Sequence, residues 1–436
     1  MKNKDNKKAE QIKTSFTAGT LTNFSGALPL YKFMLKIGVP KLFDNLSVKL
    51  NHNAKYSTSS ILNTIILGIQ SGMNRIKKIE TFSQDPLVSE MLGLQGKIDE
   101  DTISNRLKRF GMEQSNELME INGTLSKKVH KQLKTYGDIV DIDSTVKTVY
   151  GKQEGAAVGY NPHKRGGRSY YPLMAFLNST RECILSWLRP GDSYTSNNTP
   201  EFLKQLFSML EGSIRDLLIR GDRGFCDDKI FNEIERRPHT AYLIKAKLKN
   251  ILRLLIAQKW ETIPEMSDWE MTEFKYQASG WKKERRFVAL RHKLKTQKEG
   301  LLFPKTDYEY FCYVTNIQDS PLYLHKLYGD RGTSENWIEA VKNQMFGCCI
   351  LTDEFWANET LLLLSVMSYN ISLWMRILTD KQSWKEEPNT FRAWFVQLAG
   401  KIVHSGRRVY LKMYGAYYYK EKWKKIEGGV DALAFV

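Results

Sequence analysis

Several features are scarce in this chain. There are five cysteines, Cys183, Cys226, Cys312, Cys348 and Cys349, with no C-x-x-C pair and no Cys/His cluster at zinc spacing. That argues against a disulfide framework and a structural zinc site, and it suits a reducing, cytoplasmic compartment. The first thirteen residues are polar and lysine-rich, with no apolar core of the kind a secretory signal needs. The longest apolar run, 361–375, is broken by Ser365, Ser368, Asn370 and Ser372. It is too short and too polar for a bilayer span and predicts a buried core helix, so no membrane partner is expected. No internal repeat is visible.

Acidic residues are also in short supply. Against 65 Lys and Arg stand 48 Asp and Glu, a formal net charge of +17 and a pI near 9.4. Such an excess points to an anionic partner, nucleic acid before any acidic surface. Hydrophobic residues at 42% mark a globular chain, and 436 residues suffice for two or three domains. Aromatics at 12% add stacking surface that a merely solubilising basic protein would not need.

Residues 1–20 form a basic flexible tail by composition. From 21 to 135 the pattern is helical, with helices over 57–73 and 76–91 and a third over 103–110, capped by Asp101-Thr102. The third carries Asn105, Arg106, Lys108 and Arg109 on its polar side, which fits either a helix-turn-helix DNA reader or a plain bundle with a solvated face. Texture changes at Tyr136. Strands are expected over 138–143, 170–178 and 182–189, a helix over 200–210, a strand over 216–220, a helix over 227–237 and a strand over 241–245. Three consecutive strands followed by alternation with helices predict an α/β fold with a mixed sheet across 136–246. A β-rich insertion follows over 247–327, with strands at 269–274, 286–291 and 308–316. Helix returns over 353–378 and 390–403 within a segment 328–404. A basic aromatic tail, 405–436, closes the chain.

One stretch, 327–342, organises the rest. Tyr328, Arg331, Glu335 and Lys342 fit the spacing Y-x2-R-x3-E-x6-K. At about 100° per residue and taking Arg331 as zero, a continuous α-helix puts Tyr328, Glu335 and Lys342 at about 60°, 40° and 20°, one narrow face. Two distant aspartates belong with it: Asp143 at the end of the first strand and Asp222 in a Gly-Asp-Arg-Gly turn after a later one. Ligands of α/β sheets gather at strand ends, and oxygen donors of this kind suit hard divalent cations. Two such ions about 4 Å apart activate a nucleophile and stabilise a leaving oxygen in phosphoryl transfer. Asp141 rivals Asp143, since both point to one side of the strand. Asp222 could instead serve only its turn, and Glu339 lies one helical turn beyond Glu335.

Asp143-Ser144-Thr145 after an apolar strand, Gly221-Asp222-Arg223-Gly224-Phe225 after another, and the Tyr328/Arg331/Glu335/Lys342 segment together resemble bacterial insertion-sequence DDE transposases with the Tyr-Arg-Glu-Lys signature. The loop 159–170 and the phrase 331–336 look closest to the "thirteen-eighty" subgroup, and the similarity spans roughly 20–413. The resemblance implies a ribonuclease-H-like core interrupted by a β-rich insertion, with a helical N-terminal DNA-binding region. It implies Asp143, Asp222 and Glu335 as catalytic residues holding two Mg²⁺ or Mn²⁺ ions, and it favours Asp143 over Asp141. Expected partners are the element's terminal inverted repeats, target DNA and a second copy of the chain, in the bacterial cytoplasm at the nucleoid. The reaction expected is cleavage at the element ends, then joining of the 3′-hydroxyl to target DNA. By position, Tyr328, Arg331 and Lys342 would hold phosphates. His163, Lys164, Arg165 and Arg168 in the loop, and Arg106, Lys108 and Arg109 in the helical region, are further candidate DNA contacts. A metal-dependent nuclease without strand transfer and a non-catalytic DNA-binding descendant are the alternatives.

Overall fold

The computed structural model describes residues 12–162, 164–294, 308–349 and 351–435. Its strands, in chain order, are β1 (Leu21–Thr22), β2 (Gly137–Ser144), β3 (Lys147–Thr148), β4 (Ala157–Val158), β5 (Arg168–Tyr170), β6 (Leu173–Leu177), β7 (Cys183–Trp187), β8 (Asp216–Gly221), β9 (Thr240–Lys245), β10 (Glu261–Ile263), β11 (Met266–Tyr276), β12 (Arg285–Lys293), β13 (Tyr308–Thr315), β14 (Gly400–Ser405) and β15 (Arg408–Met413). The main sheet runs β10-β11-β12-β13-β9-β8-β2-β6-β7.

β2, β6 and β7 form an antiparallel meander, and β8 and β9 lie parallel to β2 on its other side. Parallel neighbours need crossovers. The amphipathic helices Thr199–Leu210 and Asp228–Arg236 supply them, burying Phe202, Leu203 and Leu206 from one and Ile230, Phe231 and Ile234 from the other. Three antiparallel strands followed by two parallel ones is the ribonuclease-H-like arrangement. The insertion does not build a separate sheet. β13 pairs antiparallel with β9, so β10–β13 widen the core sheet from its edge. The helix Leu248–Ile256 opens the insertion and Pro321–Gly329 closes it.

The helix Phe355–Thr379 is long and apolar enough to cross a membrane by length and composition, yet 89% of its most apolar window is buried in the structure. It packs against Thr58–Gln70, Met112–Leu133 and β7. Its polar residues are satisfied inside the core: Asn370 Nδ2 donates to Asn122 Oδ1 at 2.9 Å and to Cys183 O at 2.8 Å, while Ser365 and Ser368 bond back one turn. Buried groups paired in this way cost little.

Three helix expectations change. The helix expected over 76–91 is two, Ile76–Ser83 and Pro86–Leu92, because Pro86 holds Asp85 extended and Asp85 Oδ1 caps Leu87 N at 2.9 Å. The third helix starts earlier, as Glu100–Leu107. The helix expected over 390–403 stops after Pro388–Phe391 and a π-turn, Arg392–Val396. Ile402 and Val403 are β-branched and pair instead with Leu411 and Tyr410 across β14–β15, with β1 on the other side of β14.

Candidate active site

β2 and β8 run side by side in parallel and end at one edge of the sheet. Asp143 is the second-last residue of β2, and Asp222 directly follows β8. Two residues back from Asp143 sits Asp141, register partner of Arg220 and, like it, 0% exposed. Arg220 Nε and Nη2 donate to the two Asp141 oxygens at 2.7 Å each, and Nη1 donates to Leu327 O at 2.6 Å. Period-two geometry thus puts two aspartates on one side with different fates. Asp141 is consumed as a buried brace, and Asp143 is left at the open edge.

The segment carrying the other candidates is not one α-helix. It runs Pro321–Gly329 as α-helix, Asp330–Thr333 as a 3₁₀ turn, Ser334–Glu339 as α-helix and Ala340–Gln344 as a π-turn. Changes of pitch of this kind are frequent at functional sites. Three of its four predicted residues nonetheless reach the ends of β2 and β8. Tyr328 Oη donates to Gly221 O at 3.3 Å, Arg331 Nη2 pairs with Asp143 Oδ2 at 2.9 Å and donates to Ile142 O at 3.1 Å, and Lys342 Nζ donates to Thr145 Oγ1 at 2.8 Å. The fourth, Glu335, is exposed on the first turn of its helix and faces a cleft of ≈ 500 Å³ also lined by Asp143, Lys342, Tyr160 and Tyr171.

Charge is concentrated here. Burial pushes the Asp143 carboxyl above its usual pKa, and the Asp222 charge pushes the same way against the pull of Arg331. Burial drives Tyr328 up to about 12, with the Asp222, Asp143 and Asp141 carboxylates adding to it and Arg331 opposing. Burial disfavours the Arg331 cation, but Asp143, with Tyr328, Asp222 and Asp141, outweighs it and raises its pKa. Arg331 Nε is buried without a hydrogen-bond partner among the described residues. Asp222 spends Oδ1 on its turn, accepting from Gly224 N at 2.9 Å, and Oδ2 makes no hydrogen bond among the described residues.

The set of donors therefore suits a hard cation: carboxylates, one of them raised in pKa by burial and, second to it, by its neighbour's like charge, which bound positive charge would relieve. Among the described residues, no three His, Cys, Asp or Glu side chains stand close enough to grip one ion. Arg331 occupies one oxygen of Asp143 at 2.9 Å, so a cation there has to compete with the guanidinium.

The basic candidates separate. Arg106 does not lie on a solvated face, as the sequence suggested. It is buried, its guanidinium donating to Thr58 Oγ1 at 2.9 Å and Tyr56 O at 3.0 Å, so it is a structural brace. Lys108 forms a half-exposed ion pair with Glu354 at 3.2 Å, and Arg109 donates to Lys49 O at 2.7 Å and Asn51 Oδ1 at 3.0 Å. Lys164, Arg165 and Arg168 are exposed, Lys164 lying 4.6 Å from the Tyr150 ring. His163 lies outside the described residues.

Two residues of the site escaped the sequence reading. Arg220 was available as a signal, a cation inside an apolar strand that must find a buried partner. Arg189 was not: it is buried, its pKa pulled down to about 10 by that burial, and Nη2 donates to Ser144 Oγ at 3.0 Å. It also donates to Tyr171 O at 3.1 Å and Asn197 O at 3.0 Å, fixing the loop behind Asp143.

Solved structures similar to this chain include a piggyBac transposase synaptic complex with hairpin DNA, 13% identical over 84% of this chain and 80% of that one, TM-score 0.44. A Mos1 transposase paired-end complex with left transposon end is 13% identical over 45% and 60%, TM-score 0.19. The Mos1 mariner paired end complex with Mn is 14% identical over 35% and 52%, TM-score 0.17. Scores this low carry no weight of their own. No curated protein matches the chain. The family match is of another order, covering residues 4–433, nearly every position. The chain belongs to the family described as Transposase DDE domain group 1 and is a DNA transposase, a DNA-binding and DNA-cleaving enzyme built on a ribonuclease-H-like core.

Proposed function

We propose that this transposase is of the Tyr-Arg-Glu-Lys type, in the "thirteen-eighty" subgroup, with Asp143, Asp222 and Glu335 as its catalytic carboxylates. The observation that carries this is the placement of Asp143 and Asp222 at adjacent parallel strand ends, with Glu335 across one cleft from Asp143. The three would hold two Mg²⁺ or Mn²⁺ ions, which when bound supply an activated nucleophile and charge compensation at the leaving oxygen. Lys342, on the cleft wall, offers a cation to a phosphate. Tyr328 stays a phenol at neutral pH and offers a phosphate a hydrogen bond, not a charge. Arg331 spends Nη2 on Asp143 and Ile142 O, which leaves its other N–H groups to offer a phosphate.

In this reading, 1–20 is a tail, 21–135 binds element ends, 136–246 and 328–404 form the core around the 247–327 insertion, and 405–436 is a basic extension. Lys108, Arg109, Lys164, Arg165, Arg168 and His163 are DNA contacts. Two copies of the chain hold the two terminal inverted repeats, and the freed 3′-hydroxyl is joined to target DNA. Asp143→Ala, Asp222→Ala and Glu335→Ala are each expected to lose cleavage by about a hundredfold or more while keeping DNA binding. The test uses uncut element ends to read cleavage and pre-cleaved ends carrying a 3′-hydroxyl to read joining, each with Mg²⁺ and a plasmid target. Joined product made by the parent chain and lost in all three variants supports the reading. Full activity in any variant removes that residue, and cleavage without joined product leaves a nuclease.

A further inference from the structure

The strands β14 and β15 form an antiparallel ribbon closed by the two-residue turn Gly406-Arg407. Gly406 takes φ +59°, a left-handed turn residue that glycine suits. Pairing fixes which side chains share a face: Lys401 opposes Lys412, Val403 opposes Tyr410, and Ser405 opposes Arg408. Alternation puts Ile402 and Leu411 on the other face, where Ile402 is buried and anchors the ribbon. Lys401, Lys412, Arg408 and the turn residue Arg407 are all exposed, as is Tyr410. From 388 to 420 the sequence has no Asp or Glu. Among the described residues, none of these four cations has an ion-pair partner, whereas Lys422 and Lys425 in the helix that follows are paired with Glu386 and Asp380.

An edge strand is often protected by charge alone, and β15 is an edge. That accounts for Arg408 and Lys412. It does not account for Lys401 on the central strand or Arg407 at the tip. Four uncompensated cations and a tyrosine on one exposed surface have an anionic complement. The major groove, about 12 Å wide, admits a two-stranded ribbon.

We propose that the β14–β15 ribbon is a duplex-DNA contact, sequence-independent, in which Lys401, Arg407, Arg408 and Lys412 engage backbone phosphates. It rests on the transposase reading in that it names where the enzyme holds DNA outside the carboxylate cleft.

The experiment compares the full chain with its Lys401→Gln/Arg407→Gln/Arg408→Gln/Lys412→Gln variant, by fluorescence anisotropy on a short duplex of arbitrary sequence across a salt series. Each phosphate that the variant no longer neutralises flattens the plot of log affinity against log salt by about 0.9. The variant is expected to lose about three to four from the slope and about tenfold or more in affinity at 0.1 M salt. An unchanged slope and affinity overturn the ribbon assignment and leave the transposase reading standing. Failure of the parent chain to bind any duplex overturns both. Should the variant misfold, acetylation of the parent chain replaces it: duplex DNA protects Lys401 and Lys412 if the proposal holds, and equal modification with and without DNA refutes it. A variant that loses binding to anionic phosphatidylserine vesicles but not to DNA assigns the ribbon to membrane and also refutes it.

Discussion

Arg220→Met is the substitution with the most closely determined consequence. Arg220 ties three elements together: its own strand β8, Asp141 on β2 and the carbonyl of Leu327 at the head of the Tyr328–Lys342 segment. Both members of the ion pair are fully buried, with side chains 0% exposed. Removing the guanidinium leaves a carboxylate without a partner inside the sheet, which costs about 3–5 kcal/mol. The lost bond to Leu327 O adds about 1 kcal/mol. The double variant Asp141→Leu/Arg220→Met removes both charges together and fills the space with apolar atoms. It should recover to within about 1–2 kcal/mol of the parent, because desolvation of the pair roughly offsets its attraction. Urea unfolding of the four proteins gives all these differences and the coupling between the sites. A single variant that loses less than about 1 kcal/mol, or a double variant that loses the sum of the singles, would refute the reasoning. Cleavage by the double variant separates stability from positioning. With Leu327 O released from β8, activity should stay low even when the fold is restored.

Two further outcomes follow. Glu359 is buried, accepts from Leu188 N at 2.7 Å, and is pushed up by that burial to about 8 from its usual 4.5. The folded chain therefore keeps a proton that the unfolded chain has lost. Stability from this group is full below about pH 4.5 and falls as pH rises towards 8, by roughly 2 kcal/mol between pH 6 and 8. Glu359→Gln should abolish that decline, and a parent–variant difference independent of pH counts against it. Arg331→Ala removes the cation held 2.9 Å from Asp143. Terbium luminescence on the DNA-free chain should show about tenfold tighter cation binding, the low end of what an adjacent charge does to a carboxylate, while DNA cleavage falls. Unchanged terbium affinity would contradict competition between Arg331 and a cation.

Much of the site was legible because it sits where local rules change. Asp143 and Asp222 end apolar runs that can only be strands, and the polar or glycine-rich residues after them mark the sheet edge. The convergence of Tyr328, Arg331 and Lys342 was legible too, but by a route the chain does not take. A uniform α-helix would put them on one face; the structure instead uses a 3₁₀ turn and a π-turn to bring those side chains to β2 and β8. What was hidden depends on partners distant in sequence. Nothing near Arg106 shows that Tyr56 and Thr58 will absorb its charge, and nothing near Arg331 shows that it will rest on Asp143. The run through Ile402 and Val403 continues a helical periodicity, and only pairing with β15 and β1 makes it a strand.

The central claim is that Asp143, Asp222 and Glu335 close on divalent cations beside a DNA phosphate. Anomalous scattering from Mn²⁺ in crystals of the chain bound to an element end tests this most directly. Manganese peaks are expected within coordination distance of all three carboxylates, with Arg331 swung off Asp143. Manganese bound elsewhere, with the Arg331–Asp143 pair intact, would contradict it.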